Sequence, residues 1–382
     1  MNHVVISGFN LEDNNRGTAA LGYGSISFLS KFHDLSNKKI ACVRFFKKPW
    51  KCSYKPEIKE YFIDNKKVDV ELYKVWYFEY LLIKIFKVRI PFFPLSKLFK
   101  DVEYVAAING GDGFSDIYGK AIFENRLKEI NIAMTFNIPL IILPQTLGPF
   151  KDNRIYLRAS NILKYSTKVY VRDKKFDKEL NQMGVRFNLT KDLSFYMQPE
   201  MVNIKLKPNA IGLNISGLAY SNKFYSLANQ FDNYPILIDA IINYFQKSEI
   251  PIYLISHSYN FLAPEANNDD LQVCKQVYEN LNNKHFVYVI NENFTPPQIK
   301  YIISQMDFFI GTRMHANFAA IFTKTPVFGL SYSYKFAGAF DSFGLNDSYS
   351  EIRNLSKNDI FPLISKIENF YLNKKTKVII RS

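Results

Sequence analysis

The sequence predicts an α/β protein with two domains, each built on a parallel β-sheet covered by helices. Near-continuous apolar runs alternate with helical segments along most of the chain, which is typical of parallel sheets buried on both faces. The length of 382 residues exceeds what one hydrophobic core usually organises, so two domains are expected. Polar or glycine-rich residues follow directly after these runs. Because parallel α/β sheets bind ligands at the carboxyl ends of their strands, these residues are candidates for a binding site.

The individual elements follow from this alternation of apolar runs and helical periodicity. Strands are predicted at residues 4–8, 39–46, 104–108, 138–143, 168–171, 210–213, 252–255, 286–290, 308–310 and 326–330. Helices are predicted at residues 19–29, 123–136, 154–165, 174–183, 235–245, 269–282, 297–306 and 358–371.

A change of rhythm near residues 197–209 predicts a linker, because a new strand begins directly after it. We therefore expect two Rossmann-like domains, at residues 1–200 and 205–345, with their sheets facing a central cleft that binds the ligand. Residues 346–382 form a C-terminal helical segment, which we interpret as crossing back to the first domain.

The composition is that of an ordinary globular protein, with 47% hydrophobic and 22% charged residues. Three scattered cysteines predict no disulfide framework and no metal site, which fits a reducing, cytoplasmic compartment. The first residues lack the pattern of a signal peptide, and no apolar run is long enough for a transmembrane helix.

The net charge of +14 is concentrated at the N-terminal end, where residues 1–100 hold 18 Lys/Arg and 9 Asp/Glu. This balance favours an anionic partner: a phosphorylated substrate, an anionic membrane or nucleic acid. Nucleic acid is least supported, because no known nucleic-acid-binding motif accompanies the charge. The apolar run at residues 75–86 is either a helix covering the sheet or part of a membrane contact within residues 39–100, at the inner face of the cytoplasmic membrane.

The most informative stretch is residues 307–322, where an apolar strand breaks at Gly311 and a helix is predicted to follow. Arg313 and His315 stand where that helix would begin. Free N–H groups at a helix start, an arginine and a titratable imidazole together predict an anion site with an acid/base. The alternative interpretation is that Arg313 holds the sheet edge and His315 is structural.

Two further strand-end motifs carry polar groups suited to a substrate. The glycine-rich loop at residues 109–116 offers Asp112 and Asp116 for sugar hydroxyls, although a tight structural turn is the alternative. It lacks both dinucleotide-binding and P-loop spacing. Gln145, in the Pro-rich turn at residues 144–150, is suited to orienting a substrate. No third ligand supports a metal at the two aspartates.

The remaining candidates also follow strands or lie in polar loops. Arg172 can grip a carboxylate or phosphate, or it can form an ion pair that holds a loop. His257 is a secondary acid/base candidate, and Lys335 could add positive charge. The other candidates, for binding an acceptor or for holding a loop, are Asn14, Arg16, Asn214 and Ser216. With neither a nucleophile elbow nor a metal cluster, the set indicates transfer chemistry on an anionic donor, with His315 as general acid/base.

The ordered motifs resemble those of the polysaccharide pyruvyl transferase family. They are Asn14-Asn-Arg-Gly-Thr-Ala, Asn109-Gly-Gly-Asp-Gly-Phe-Ser-Asp, Pro144-Gln-Thr-Leu-Gly-Pro-Phe, Val171-Arg-Asp, Ile211-Gly-Leu-Asn-Ile-Ser, Gly311-Thr-Arg-Met-His-Ala and the stretch from Pro326 to Lys335. Each motif alone is weak, but their order and spacing are fairly specific. Residues 30–100 match no motif of the family, and Arg16 departs from its commoner first turn.

The resemblance implies a glycosyltransferase-B-like fold and transfer of pyruvyl from phosphoenolpyruvate to two hydroxyls of a sugar, forming a cyclic ketal. It implies His315 as acid/base and Arg313, Met314 and Arg172 as donor-binding residues, to which we add Lys335. The first domain is expected to hold the acceptor, a sugar that is either lipid-linked or not, and the second the donor. No cofactor or metal is expected. The alternatives are a nucleotide-sugar glycosyltransferase and a non-catalytic glycan assembly protein.

Overall fold

A computed structural model describes residues 2–224, 227–259, 265–332, 336, 340 and 343–379. The chain forms two compact units. The first unit comprises Met1–Leu11 and Ala20–Met197, and the second comprises Glu12–Ala19 and Gln198–Ser382. The short segment at residues 12–19, which we had expected within the first domain, therefore belongs to the second unit.

The first unit is built on an eight-stranded sheet with the order β3-β4-β2-β1-β5-β6-β7-β8. All of its neighbouring strands are parallel except β3 and β4, which form an antiparallel hairpin. The strands are β1 (His3–Ser7), β2 (Lys39–Phe46), β3 (Glu57–Ile63), β4 (Lys66–Trp76), β5 (Val102–Ala107), β6 (Leu140–Gln145), β7 (Lys168–Val171) and β8 (Asn188–Leu189).

Helices cover both faces of this sheet, because alternate residues of its strands are apolar in both directions. Val4 and Ile6 of β1 pack in the core beside α1, while Val5 packs in the core on the opposite face. The helices are α1 (Arg16–Phe32), α2 (Tyr77–Phe86), α3 (Pro94–Leu98), α4 (Lys120–Asn125), α5 (Lys128–Thr135), α6 (Asn153–Tyr165) and α7 (Asp177–Gln182). α1 starts in the second unit and continues into the first.

The hairpin of β3 and β4 was missed from the sequence, because the many lysines between residues 47 and 69 obscured the alternation. Its two-residue turn, Asp64-Asn65, has φ values of 50° and 63°. Two positive φ angles in succession are typical of hairpin turns, and Asp and Asn tolerate them. This dipeptide was the signal that could have predicted the hairpin. The apolar run at 75–86 is correspondingly divided, since β4 ends at Trp76 and α2 starts at Tyr77.

The second unit is built on a six-stranded sheet with the order β11-β10-β9-β12-β13-β14, and all paired strands are parallel. Its strands are β9 (Ile211–Asn214), β10 (Ile252–Leu254), β11 (Val287–Val289), β12 (Phe308–Gly311), β13 (Val327–Ser331) and β14 (Tyr349–Glu351). Its helices are α8 (Gly217–Ser221), α9 (Tyr234–Lys247), α10 (Asp270–Asn280), α11 (Pro296–Ser304), α12 (Met314–Thr323) and α13 (Lys357–Ile379). The predicted fold of two Rossmann-like domains with parallel sheets is confirmed.

The C-terminal helix α13 packs within the second unit, whereas the sequence suggested a path back to the first domain. Leu363 and Ile367 lie in the same buried cluster as α9. The ring of Tyr371 lies 5.4 Å from those of Phe245 in α9 and Phe308 in β12. The apolar stripe of α13 therefore covers one face of the second sheet. No helix in the described ranges is both long and apolar enough to cross a bilayer.

Candidate functional site

The second sheet reverses its strand order between β9 and β12. The chain passes from β9 outward through β10 and β11, and then returns to place β12 on the other side of β9. The carboxyl ends of two such strands diverge into a crevice, which is the usual ligand position in open α/β sheets. Asn214 ends β9, and Arg313 and His315 follow β12, so the predicted motif lies at this position.

Arg313 is buried and is paired with a carboxylate of the protein itself. It caps α12 in an extended backbone conformation, and its backbone N–H donates to Asn214 Oδ1 at 2.8 Å. Its Nη2 lies 2.6 Å from Asp270 Oδ1 and 2.6 Å from Asn268 Oδ1. Burial alone would lower the pKa of Arg313, but Asp270 and the Tyr332 side chain together raise it. The contacts observed therefore fit the alternative interpretation, that Arg313 is structural.

Asp270, which the sequence did not single out as a site residue, connects three strand-end loops. Its carboxylate accepts the backbone N–H of Gly217 at 2.8 Å and that of His257 at 3.1 Å, and Asn214 Nδ2 lies 3.4 Å away. Together with Arg313, these donors surround a carboxylate with no solvent exposure. Asp270 thus holds the loops after β9, β10 and β12 together. The Asp269-Asp270 pair at the start of a helical period was the signal present in the sequence.

His315 lies in the first turn of α12, half-buried, beside the N-terminus of α1. A Cβ atom added to Gly17 would lie only 2.5 Å from His315 Nδ1, so glycine is what allows this approach. The His315 ring also meets Phe318 edge-on, with the ring centroids 5.7 Å apart. The start of α1 thus lies against the predicted acid/base. Gly17 belonged to a motif that the sequence analysis quoted, but its contact with His315 was not foreseen.

His257 is buried behind this region. Its backbone carbonyl accepts the N–H of Arg16 at 3.0 Å, which anchors the start of α1. Desolvation, followed by the positive charges of His315, Arg313 and Arg16, holds the pKa of His257 well below its usual value. The imidazole is therefore neutral at physiological pH. Burial is the largest cause of this shift, and the neighbouring His315, Arg313 and Arg16 add to it.

Arg16 and Asn14 attach the 12–19 segment to the second unit. The Arg16 side chain donates to the Phe294 carbonyl at 2.8 Å and also to Asn293 Oδ1, and it lies 4.8 Å above the Tyr259 ring. The carbonyl of Asn14 accepts the N–H of Tyr259 at 2.9 Å. Both residues therefore have structural contacts that explain their positions.

The remaining candidates of the second unit are Ser216, Met314 and Lys335. Ser216 is buried and caps α8, accepting the N–H of Ala219 at 3.5 Å. Met314 is half-buried and packs beside the core cluster that contains Ala316. Lys335, the predicted additional cation, lies outside the described residues.

The carboxyl edge of the first sheet carries the glycine-rich loop, and Gln145 fixes its start. The Gln145 side chain is fully buried, accepts the N–H of Asn109 at 2.9 Å and donates to the carbonyl of Ala107 at 3.1 Å. This geometry makes Gln145 a structural bridge between β5 and β6, where we had expected a substrate contact. A Cβ atom on Gly111 would lie 3.0 Å from Arg172 Nη1, so the loop backbone lies against that guanidinium.

Arg172 forms the ion pair of the structural interpretation, more closely with Asp192 than with its neighbour Asp173. Its Nη1 lies 2.7 Å from Asp192 Oδ2, and its Nε donates to Thr146 Oγ1 at 3.0 Å. The Asp173 carboxylate is 3.8 Å from Nε. Burial alone would lower the pKa of Arg172, but Asp192, Asp112 and Asp173 together raise it.

Asp112 and Asp116 have different surroundings. Asp116 accepts the backbone N–H groups of Lys151 and, at 2.8 Å, Asp152, so it fixes the neighbouring turn. Asp112 is half-buried, and the Tyr118 hydroxyl donates to it at 3.2 Å. Asp112 is the better candidate for a sugar hydroxyl. Within the part of the chain that the structure describes, no cluster of three or more His, Cys, Asp or Glu side chains could hold a metal.

These strand-end motifs agree with a comparison with known families, in which residues 15–334 match the sequence profile described as "Polysaccharide pyruvyl transferase". The chain belongs to the polysaccharide pyruvyl transferase family. The match begins inside the 12–19 segment and extends through Arg313 and His315. It therefore covers most of both units.

Two known proteins are similar to this chain, one in sequence and one in structure. The chain is 20% identical over 291 residues to the amylovoran biosynthesis protein AmsJ of Erwinia amylovora, covering 70% of this chain and 66% of that protein. Its structure is similar to that of the UDP-GlcNAc 2-epimerase of Methanocaldococcus jannaschii, with a TM-score of 0.55 and 10% identity over 96% of this chain and 92% of the other. At this identity the second likeness concerns the fold alone, which is glycosyltransferase-B-like.

Proposed function

We propose that this pyruvyl transferase family member moves the pyruvyl group of phosphoenolpyruvate onto two hydroxyls of a sugar, in a surface polysaccharide or its lipid-linked precursor. The methylene carbon of the donor takes a proton and becomes a methyl group. One sugar oxygen bonds to the adjacent carbon, the second displaces phosphate from it, and both hydroxyl protons leave. The product is a cyclic ketal. We propose that the reaction takes place in the cytoplasm, at the inner face of the membrane.

The observation that carries this proposal is the position of His315 in the first turn of α12, against the start of α1. Ketal formation requires a group that gives a proton to carbon and accepts one from oxygen. A half-buried imidazole at the carboxyl edge of a parallel sheet is suited to both steps. We assign His315 this acid/base role.

The electrostatics of the same edge favour an anionic donor. Besides burial, which is the largest cause, His315, Arg313 and Arg16 each lower the pKa of His257, which fits a positive potential at this edge. Phosphoenolpyruvate carries both a carboxylate and a phosphate, and such a potential would stabilise it and the departing phosphate. This supports the donor class without requiring a direct contact from the guanidinium of Arg313.

We propose that Arg313 acts as a positioning residue. Its backbone caps α12, and its pairing with Asp270 fixes the loop that presents His315. Arg172, with three carboxylates around its guanidinium, keeps its donor-binding role as a prediction of the family resemblance. Asp112 is the residue that we propose for an acceptor hydroxyl.

Replacing His315 tests the assignment. We expect His315→Ala to lower kcat by about 10²–10⁴-fold, the usual contribution of a positioned acid/base, while the unfolding temperature changes little. The matched control is His285→Ala, because His285 is an exposed histidine of the same unit. Phosphate release from phosphoenolpyruvate in the presence of acceptor glycan measures the rate. Near-normal turnover by His315→Ala would exclude the acid/base role.

The donor is tested separately by thermal shift with phosphoenolpyruvate and with a panel of nucleotide sugars. We expect phosphoenolpyruvate to raise the unfolding temperature and nucleotide sugars to leave it unchanged. Stabilisation by a nucleotide sugar, with release of nucleotide, would instead indicate a glycosyltransferase. No stabilisation and no turnover with either donor class would indicate a non-catalytic glycan assembly protein.

A further inference from the structure

The first unit exposes a group of large apolar side chains that its own core does not use. They comprise Trp50, Phe78, Ile85, Phe86, Val88 and Phe92, which we call the aromatic surface. Phe92 is 79% exposed, Trp50 75%, Ile85 66% and Phe86 62%. Isolated exposed apolar residues are normal, but a concentration of large ones marks an interaction site.

The geometry of α2 explains why three of these side chains point outward. Tyr80 and Ile83 occupy the buried side of the helix and pack in the core of the first unit. Phe78, Ile85 and Phe86 are spaced by seven and eight residues from the first, so they share the opposite side of the helix. One face of α2 therefore packs in the core of the first unit, and a second apolar face is left uncovered.

Contacts join the neighbouring segments to this face. The rings of Trp76 and Phe78 lie 4.9 Å apart, and Trp76 Nε1 donates to the carbonyl of Lys47 at 3.2 Å, which holds the segment bearing Trp50 near the start of α2. After α2, the N–H of Ile90 donates to Ser96 Oγ at 3.0 Å and fixes the loop that carries Phe92. The aromatic surface is thus formed by chain segments that are held beside one another.

The exposed charged side chains of residues 77–100, which carry most of this surface, are all basic. Residues 77–100 contain five basic side chains and a single acidic one. That acid, Glu79, is buried and accepts the N–H of Leu95 at 3.1 Å. The basic residues are exposed and consist of Lys84, Lys87, Arg89, Lys97 and Lys100. Within residues 77–100, a partner that covers the aromatic surface therefore meets exposed charges that are all positive.

We propose that the aromatic surface binds the protein peripherally to an anionic phospholipid bilayer. Aromatic rings favour the boundary between headgroups and acyl chains, and lysine and arginine side chains reach the phosphates above it. Ile85 and Val88 favour a bilayer over nucleic acid, because aliphatic side chains gain from hydrocarbon but cannot stack on bases. This inference does not depend on the proposed transfer reaction.

Flotation of the full chain with lipid vesicles tests it. We expect binding to vesicles of phosphatidylcholine with phosphatidylglycerol, at least tenfold weaker binding to phosphatidylcholine alone, and weakening by salt. The double variant Phe86→Ser/Phe92→Ser removes apolar anchors, and the triple variant Lys84→Gln/Lys87→Gln/Arg89→Gln removes charge. Each should lower binding at least tenfold.

The control variant is Phe361→Ser, which removes a 78% exposed phenylalanine from the second unit. It should bind vesicles like the unchanged protein. Circular dichroism of all variants establishes that each is folded, and the charge variant keeps the test valid if the Phe→Ser pair disturbs folding. The proposal is overturned by absence of binding to anionic vesicles, by binding that neither variant weakens, or by preference for single-stranded oligonucleotides over vesicles.

Discussion

Each sheet places an arginine after a strand and pairs it with a buried aspartate, yet the two pairs are built differently. In the second unit Arg313 relies on Asp270, which also holds the backbone of Gly217 and His257. In the first unit Asp192 pairs with Arg172 and accepts the N–H of Ser194 in its own loop.

The two arginines also differ in the number of carboxylates that act on their pKa values. Asp270 and the Tyr332 side chain raise the pKa of Arg313, whereas three carboxylates, Asp192, Asp112 and Asp173, raise that of Arg172. Two arginine–aspartate pairs that look equivalent in the sequence therefore have different surroundings and hold different parts of the chain. In the second unit the aspartate itself holds the backbone of two further loops, whereas in the first unit it is Arg172 that reaches a further loop, through Thr146 Oγ1.

The largest expected effect comes from removing the two aspartates in turn. Asp270→Asn leaves a buried guanidinium without its carboxylate and should cost about 3–5 kcal/mol of unfolding free energy. Asp192→Asn should cost less, about 1.5–3 kcal/mol, because Arg172 keeps two neighbouring carboxylates. Urea denaturation followed by circular dichroism measures both. Equal losses of unfolding free energy would show that the two pairs contribute equally to stability.

A smaller effect is expected where the start of α1 lies against His315. Gly17→Ala places a methyl group within 2.5 Å of His315 Nδ1 and should lower kcat at least about tenfold, equal to ~1.4 kcal/mol, by displacing the ring. Gly22→Ala is the matched control within the same helix, with its nearest contact, Leu11, at 3.1 Å. Similar turnover of both variants in the phosphate-release assay would mean that the His315 contact has no functional importance.

The smallest effect concerns acid stability, which should differ between the two sheet edges because His257 belongs to the second. The pKa of His257 is lowered in the folded protein, so below about pH 6.5 the unfolded state binds a proton that the folded state does not. Stability should therefore fall as pH decreases from about 6.5, by at most ~1.4 kcal/mol per pH unit from this group.

His257→Asn should remove that contribution. The measurement is the unfolding free energy at several pH values from neutral to mildly acidic, for the variant and the unchanged chain. The control variant is His285→Asn, which replaces an exposed histidine of the same unit. If the unfolding free energy of His257→Asn depends on pH as in the unchanged chain, this histidine is not held neutral by burial and by His315, Arg313 and Arg16.

The sequence predicted most of the strands because their apolar runs are local and end at recognisable turns. β2 (Lys39–Phe46) and β7 (Lys168–Val171) have the bounds that were predicted. The β3–β4 hairpin was missed because polar residues interrupt its pattern, and packing against neighbouring strands decides such cases. The predicted helix at 123–136 is two helices, α4 and α5, divided at Arg126 and Leu127.

For the candidate site, sequence placed Arg313 and His315 at the start of a helix after a strand, and the structure confirms that position. It did not predict which groups these side chains meet. Whether Arg313 binds an external anion or an internal carboxylate depends on Asp270, which lies 43 residues away along the chain. The central cleft expected between the two domains stays a prediction.

The sequence by itself determined the α/β class, the parallel sheets and the family, because these depend on local periodicity and on ordered motifs. Tertiary structure decided that residues 12–19 join the second unit, that Gly17 meets His315, and that α2 has an uncovered apolar face. The physical reason is that contacts between distant residues depend on the path of the chain. Neither composition nor spacing records which polar groups will be buried together, or which apolar ones will remain exposed.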